Sequence, residues 1–175
     1  MHFELKSISE GSIPEALAKV ERYRLLHEPV LAESICLDIL AINPDHPQAL
    51  ISLLLARTDQ FHANAQAKGA LEVLARIKGD YEQAYYAAII SERLGLARIR
   101  QGDGGARVSG YRALQDAMHN YERAMQFAPH GNDDAILRWN TCARTIMQNP
   151  DIQSLADDDP NSWMHDEVGP RIADA

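Results

Sequence analysis

Glu92 and Arg93 stand together inside a strongly apolar helical stretch, Ala84 to Leu96, where charge needs a partner. Arg93 could clamp a carboxylate, such as a partner's C-terminus, through parallel N–H donors. It could equally close an internal ion pair or satisfy a neighbouring helix end. Tyr85 and Tyr86 lie two turns earlier on the same stretch, which leaves a remote reading as a helical enzyme or small-ligand carrier. A second dense polar cluster is Asn132-Asp133-Asp134 followed by Arg138-Trp139-Asn140. It reads as a recognition patch, or as a helix start with acids matched to the dipole and Trp139 packed beneath.

Other reactive side chains are poorly placed for chemistry. The seven histidines (2, 27, 46, 62, 119, 130, 165) include no i, i+4 pair and none at ligand spacing from a cysteine, so no metal site is expected. Gly102-Asp-Gly-Gly105 lacks the Gly-Lys-Ser/Thr ending of a phosphate loop and follows a helix pattern, not a strand. Cys36 and Cys142 both fall on apolar helix faces and read as buried core thiols, not activated nucleophiles. No cofactor and no catalytic constellation is expected, and the chain reads as a non-enzyme.

Helices must position these residues. The apolar periodicity is helical throughout, without sustained alternation, and predicts an all-α chain of about seven helices. Ser12-Ile-Pro-Glu15 reads as a capping box opening the first helix, which stops at His27-Glu28-Pro29. The second runs from about Val30 to Ile42 and ends at Asn43-Pro44. The third opens at Asp45-His-Pro-Gln48 and reaches about Phe61. The fourth spans roughly Ala65 to Lys78, the fifth Glu82 to Arg100 or Gln101, the sixth Tyr111 to Phe127. A seventh runs from Asn132 to Asn149-Pro150. Between the fifth and sixth, residues 102–110 read as a loop insertion that could bear partner contacts.

The net charge of −8 is unevenly spread, with seven acids against one base after Pro150 and −2 left on the rest. Such a body has no basic face for nucleic acid. Residues 150–175 read as an acidic, flexible tail, in which Trp163-Met164 could dock or fold back. Residues 1–12 read as an N-terminal extension. The start lacks a secretory signal, no apolar run reaches the ~20 residues of a membrane span, and the thiols suit a reducing compartment. The expectation is a cytoplasmic protein with no membrane partner.

The helices also repeat. Ala32-x3-Cys36-x2-Ile39-Leu40-x3-Pro44 overlays Ala117-x3-Tyr121-x2-Ala124-Met125-x3-Pro129, with a weaker copy at Ala67-x3-Leu71-x2-Leu74-Ala75. These segments, and the phrase Leu37 to Ala49, resemble the second helix and junction of tetratricopeptide repeats. Ile13 to His46 makes one 34-residue unit and Pro47 to Asp80 a second. The third, Tyr81 to Gly131, is too long, and the last helix resembles a cap. The first unit departs from the family by Val20 and Ile39 at positions where small residues are usual.

The resemblance implies a short right-handed superhelix over residues 13–149, about three degenerate repeats plus a cap. It also implies a concave groove, lined by first helices, that docks a peptide or helix of a partner protein. Its polar candidates here are Glu21, Arg24, Tyr85, Glu92, Arg93, Arg138, Asn140 and Arg144, with Leu17, Ile51, Leu55, Thr58 and Ile89 beside them. The competing expectation is a structural module that self-associates into a homo-oligomer.

Overall fold

The first helix begins where Pro14, with its preset φ, can occupy the opening turn. Pro29 and Pro47 do the same for the second and third. The computed structural model describes residues 3–62, 66–101 and 104–152. Among them are one 3-10 turn (Glu10–Ser12) and seven α-helices: α1 (Ile13–Leu25), α2 (Pro29–Ile42), α3 (Pro47–Asp59), α4 (Lys68–Leu74), α5 (Asp80–Gln101), α6 (Gly104–Phe127) and α7 (Asp134–Met147). The all-α expectation holds over the described residues.

Three short turns bend the chain back on itself. After α1, Glu28 N–H donates to Tyr23 O and His27 N–H to Arg24 O. This pairing closes a helix end around one left-handed residue, usually glycine. Here it is His27, at φ 59°. Before α3, the His46 ring accepts from Ala49 N–H at 3.3 Å, filling the cap. After α4, Gly79 takes φ +101°, and the Gln83 amide reaches back to the carbonyls of Leu74 (2.8 Å), which also accepts from Ile77 N–H, and of Ile77.

Each helix packs on the next, and α1 also touches α3, as α3 touches α5. The arrangement therefore sets α1, α3 and α5 side by side. One apolar cluster, built on Val20, Ile39, Leu53, Leu54 and Val73, fills the space among α1 to α4 and reaches Ile90. A second, built on Ala84, Ala88, Leu114, Ala117, Tyr121 and Cys142, joins α5, α6 and α7. The α5–α6 hairpin crosses at Gly95 and Gly110. A Cβ on Gly95 would lie 2.8 Å from Gly110 O, and one on Gly110 would lie 2.8 Å from Gly95 O. The backbones meet with no room for a side chain.

That crossing corrects the loop reading over residues 104–110, while Gly102 and Asp103 lie outside the described residues. Residues 104–110 form the first two turns of α6, and Gly110 is where α6 meets α5. Glycine here marks close helix approach, not a break. The expected capping box at Ser12 is also absent. Ser12 Oγ donates to Ser9 O at 2.7 Å, and Glu15 pairs with Lys19 instead. The fourth helix is shorter than its pattern suggested, because Ile77 turns inward and Gln83 supplies the carbonyl partners that further helix would have given. At the other end, the boundary at 150 moves. Backbone at 150–152 is helical again and Ile152 is 1% exposed. The rest of the expected tail, Trp163 and Met164 included, lies outside the described residues.

Candidate functional site

The candidates sort into three places. On the side shared by α1, α3 and α5, Asp59 ends α3 and holds two arginines. Its Oδ2 accepts from Arg24 Nε at 2.7 Å and its Oδ1 from Arg93 Nη1. Arg93 Nη1 also donates to Thr58 Oγ1 (2.6 Å) and Leu55 O (3.0 Å). Burial pushes the Arg93 pKa down, and the Asp59 charge works against that shift. Arg93 thus caps the end of α3 through Nη1, one of the two readings its sequence allowed.

Beside this chain of charges opens a cleft of about 550 Å³, lined by Glu21, Arg24, Leu25, His27, Pro29 and Asp59. The left-handed His27 turn forms part of its wall. Glu21 is exposed, Arg24 keeps 23% of its side chain in solvent, and Leu25 is 82% exposed. Such a floor can offer a hydrogen-bonding fork, a carboxylate and an apolar contact together.

The second place is a closed network. Glu92 is 4% exposed and accepts from Arg138 twice, Nε to Oε2 at 3.0 Å and Nη2 to Oε1 at 3.1 Å. Tyr121 OH donates to Glu92 Oε2 at 2.5 Å, and Arg138 Nε also reaches the Tyr121 oxygen at 2.9 Å. These three side chains tie α5, α6 and α7 together. Burial, then the Glu92 charge, pushes the Tyr121 hydroxyl far above its usual range. Burial opposes the charge on Arg138, but Tyr121 and Glu92 outweigh it and raise its pKa. Tyr85 adds a ring, 5.8 Å from Tyr121 and 5.4 Å from Tyr81. Its hydroxyl is pushed up to about 12 by burial, with Arg138 opposing.

The third place is the outer side of α7, where Asn140 and Arg144 share helical spacing with the exposed Ile136, Leu137 and Met147. The polar run at 132–140 therefore divides. Asn132 Oδ1 accepts from Asp134 N–H at 3.0 Å, Arg138 turns inward, and Trp139 Nε1 donates to Glu122 at 3.0 Å. Both thiols are free and buried, and burial raises Cys36 and Cys142 to about 12.

Sequence reasoning missed Leu25, His27, Pro29 and Asp59 as site residues. Nothing local marks Asp59, whose partners are 34 and 35 residues away. His27 carried a signal, a helix stop two residues before Pro29, but that signal speaks of the turn and not of the cleft beside it. No protein-family model, no curated protein and no solved structure matches this chain.

Proposed function

We propose that the chain is a non-catalytic interaction scaffold, built from tetratricopeptide-like helix pairs, that docks a peptide or helix of a partner protein. The pairs are α1–α2, α3–α4 and α5–α6, followed by α7, and first helices of successive pairs are in contact. That order supports a short superhelix with its groove along α1, α3 and α5. The observation that carries the reading is the cleft at the end of α1, where Arg24, Glu21 and the exposed Leu25 surround an open volume of about 550 Å³. Arg93 and Arg138 act as ties within the scaffold, and Arg24 is the guanidinium nearest an arriving ligand. A cytoplasmic setting is part of the proposal, and no helix among the described residues is long and apolar enough to cross a membrane.

The test is capture of a binding protein from the native host by wild type and by Leu25→Glu. Loss of capture with an unchanged melting temperature supports the cleft. Retained capture removes it.

A second reading, self-association, is favoured by exposed apolar residues at both ends of the stack. Leu25, Leu26, Val30 and Leu31 crowd the first turn, and Ile136, Leu137 and Met147 line α7. Sedimentation decides it. A monomer at micromolar concentration counts against an oligomer, and a dimer lost on Leu137→Glu supports one.

A further inference from the structure

The end of the α5–α6 hairpin where α5 stops and α6 begins is a basic spot on an acidic protein. Residues 98–112 hold Arg98, Arg100, Arg107 and Arg112 against one acid, Asp103, while the whole chain carries −8. The fold gathers these arginines. The Gly95–Gly110 crossing holds the last turn of α5 against the first turns of α6. Arg98 Nη1 donates to Ser109 Oγ across the pair at 2.7 Å, and Arg100 is exposed.

The chain returns to this same end after α7. Asp151 Oδ2 pairs with Arg107 Nη2 at 2.5 Å, and Ile152 is buried to 1% exposure. Beyond it lie 23 residues with six acids and one base, beginning with the run Asp157-Asp158-Asp159. An extended chain spans at most about 3.5 Å per residue, so these three aspartates stay within roughly 25 Å of Ile152 in any conformation. Tethering of that kind sets a local concentration on the order of millimolar, favouring an intramolecular contact over a foreign one.

We propose that residues 153–175 dock in cis on this arginine end, with Asp157 to Asp159 facing Arg98, Arg100 and Arg107. The acidic segment then occupies the surface that would otherwise attract acidic chains, and the Asp151–Arg107 pair is the first contact of that interface. The attraction is between partly exposed charges and so is screened by salt.

The experiment uses the full chain with Ser162→Cys, carrying a paramagnetic label on that thiol and isotope-labelled backbone amides. The native thiols are buried and stay unlabelled. At about 0.01 M salt, where the screening length is about 30 Å, amides of residues 104–112 lose most of their peak intensity. At about 1 M salt, where it is about 3 Å, they regain it. Asp157→Asn, Asp158→Asn and Asp159→Asn together, which leave every described side chain in place, also restore the peaks. A mixture of spin-labelled unenriched chain with enriched unlabelled chain shows no broadening. Unbroadened amides at 104–112 in low salt, broadening confined to α1 and α3, or broadening that appears in the mixture would each overturn the proposal.

Discussion

The two halves of the core are built from different materials. Around α1 to α4 most of the fully enclosed bulk is aliphatic, Val20, Ile39, Leu53 and Leu54 among it, with Cys36 and Thr58 beside them, and charge is kept to the edge as Arg24–Asp59 and Arg57–Glu33. Around α5 to α7 small residues take a larger share, with Ala84, Ala88, Ala117, Ala124 and Ala135 beside Ile89 and Leu114, α5 and α6 are longer, and a carboxylate, a phenol and a guanidinium lie within the packing. Bulky side chains hold short helices apart and tolerate small shifts. Backbones in contact do not, and the Glu92–Tyr121–Arg138 network gives them one alignment in which its polar atoms are satisfied. The second half is thus the more rigidly specified, and the first is where an open cleft can exist.

The largest expected effect comes from filling the crossing. Gly110→Val sets a side chain against Gly95 O and Ile99, and the helices must part to admit it. A loss of about 3 kcal/mol or more in chemical denaturation is expected, with α1 to α4 losing least protection in hydrogen exchange. A loss under about 1 kcal/mol would mean that the hairpin is no tighter than the aliphatic half.

Next comes Glu92→Ala, which leaves Arg138 and Tyr121 without their shared acceptor. About 2–4 kcal/mol is expected, tempered because the Arg138 side chain retains 32% exposure. Tyr121→Phe should cost less, since Arg138 keeps both carboxylate contacts. Equal losses in the two variants would show that the phenol, not the ion pair, is the centre of the network.

Alkaline pH bears on both halves, and more on the second. Cys36 and Cys142 are raised from 9.0 to about 12 and Tyr85 from 10.0 to about 12, all by burial first. Between those values the unfolded chain gives up protons that the folded chain keeps. Stability is therefore full below pH 9 and falls as pH rises toward 12. Thermal melts should show this decline, and Cys142→Ala with Tyr85→Phe should flatten it more than Cys36→Ala. An identical slope in all variants would remove burial of these groups as its cause.

Arg24→Ala should produce the smallest change, under about 1 kcal/mol, because its partner Asp59 keeps Arg93 and both groups reach solvent. A larger loss would mean that the first half also depends on a polar tie.

Much of this architecture was readable from the residues. The prolines at 14, 29 and 47 and the 3.6-residue apolar period placed α1 to α3 nearly to their ends. The glycines misled, because Gly110 carries the same letter whether it breaks a helix or admits a neighbouring one. Only the position of Gly95 on the facing helix distinguishes the cases. The polar site was half legible. Glu92 and Arg93 stood out as charges in an apolar stretch, Arg138 as part of a polar cluster and Arg24 as a groove position, yet their partners are fixed by tertiary contact. Glu92 meets Arg138 from 46 residues away, and no local pattern assigns that pair.

The central claim is that recognition belongs to the cleft beside α1, while Arg93 and Arg138 serve the fold. Comparing Leu25→Glu with Arg138→Ala in paired capture and melting measurements tests it most directly. The account predicts that Leu25→Glu abolishes capture at an unchanged melting temperature, and that Arg138→Ala lowers the melting temperature while the protein still folded at low temperature binds. Capture that survives Leu25→Glu but is lost with Arg138→Ala under folded conditions would contradict it.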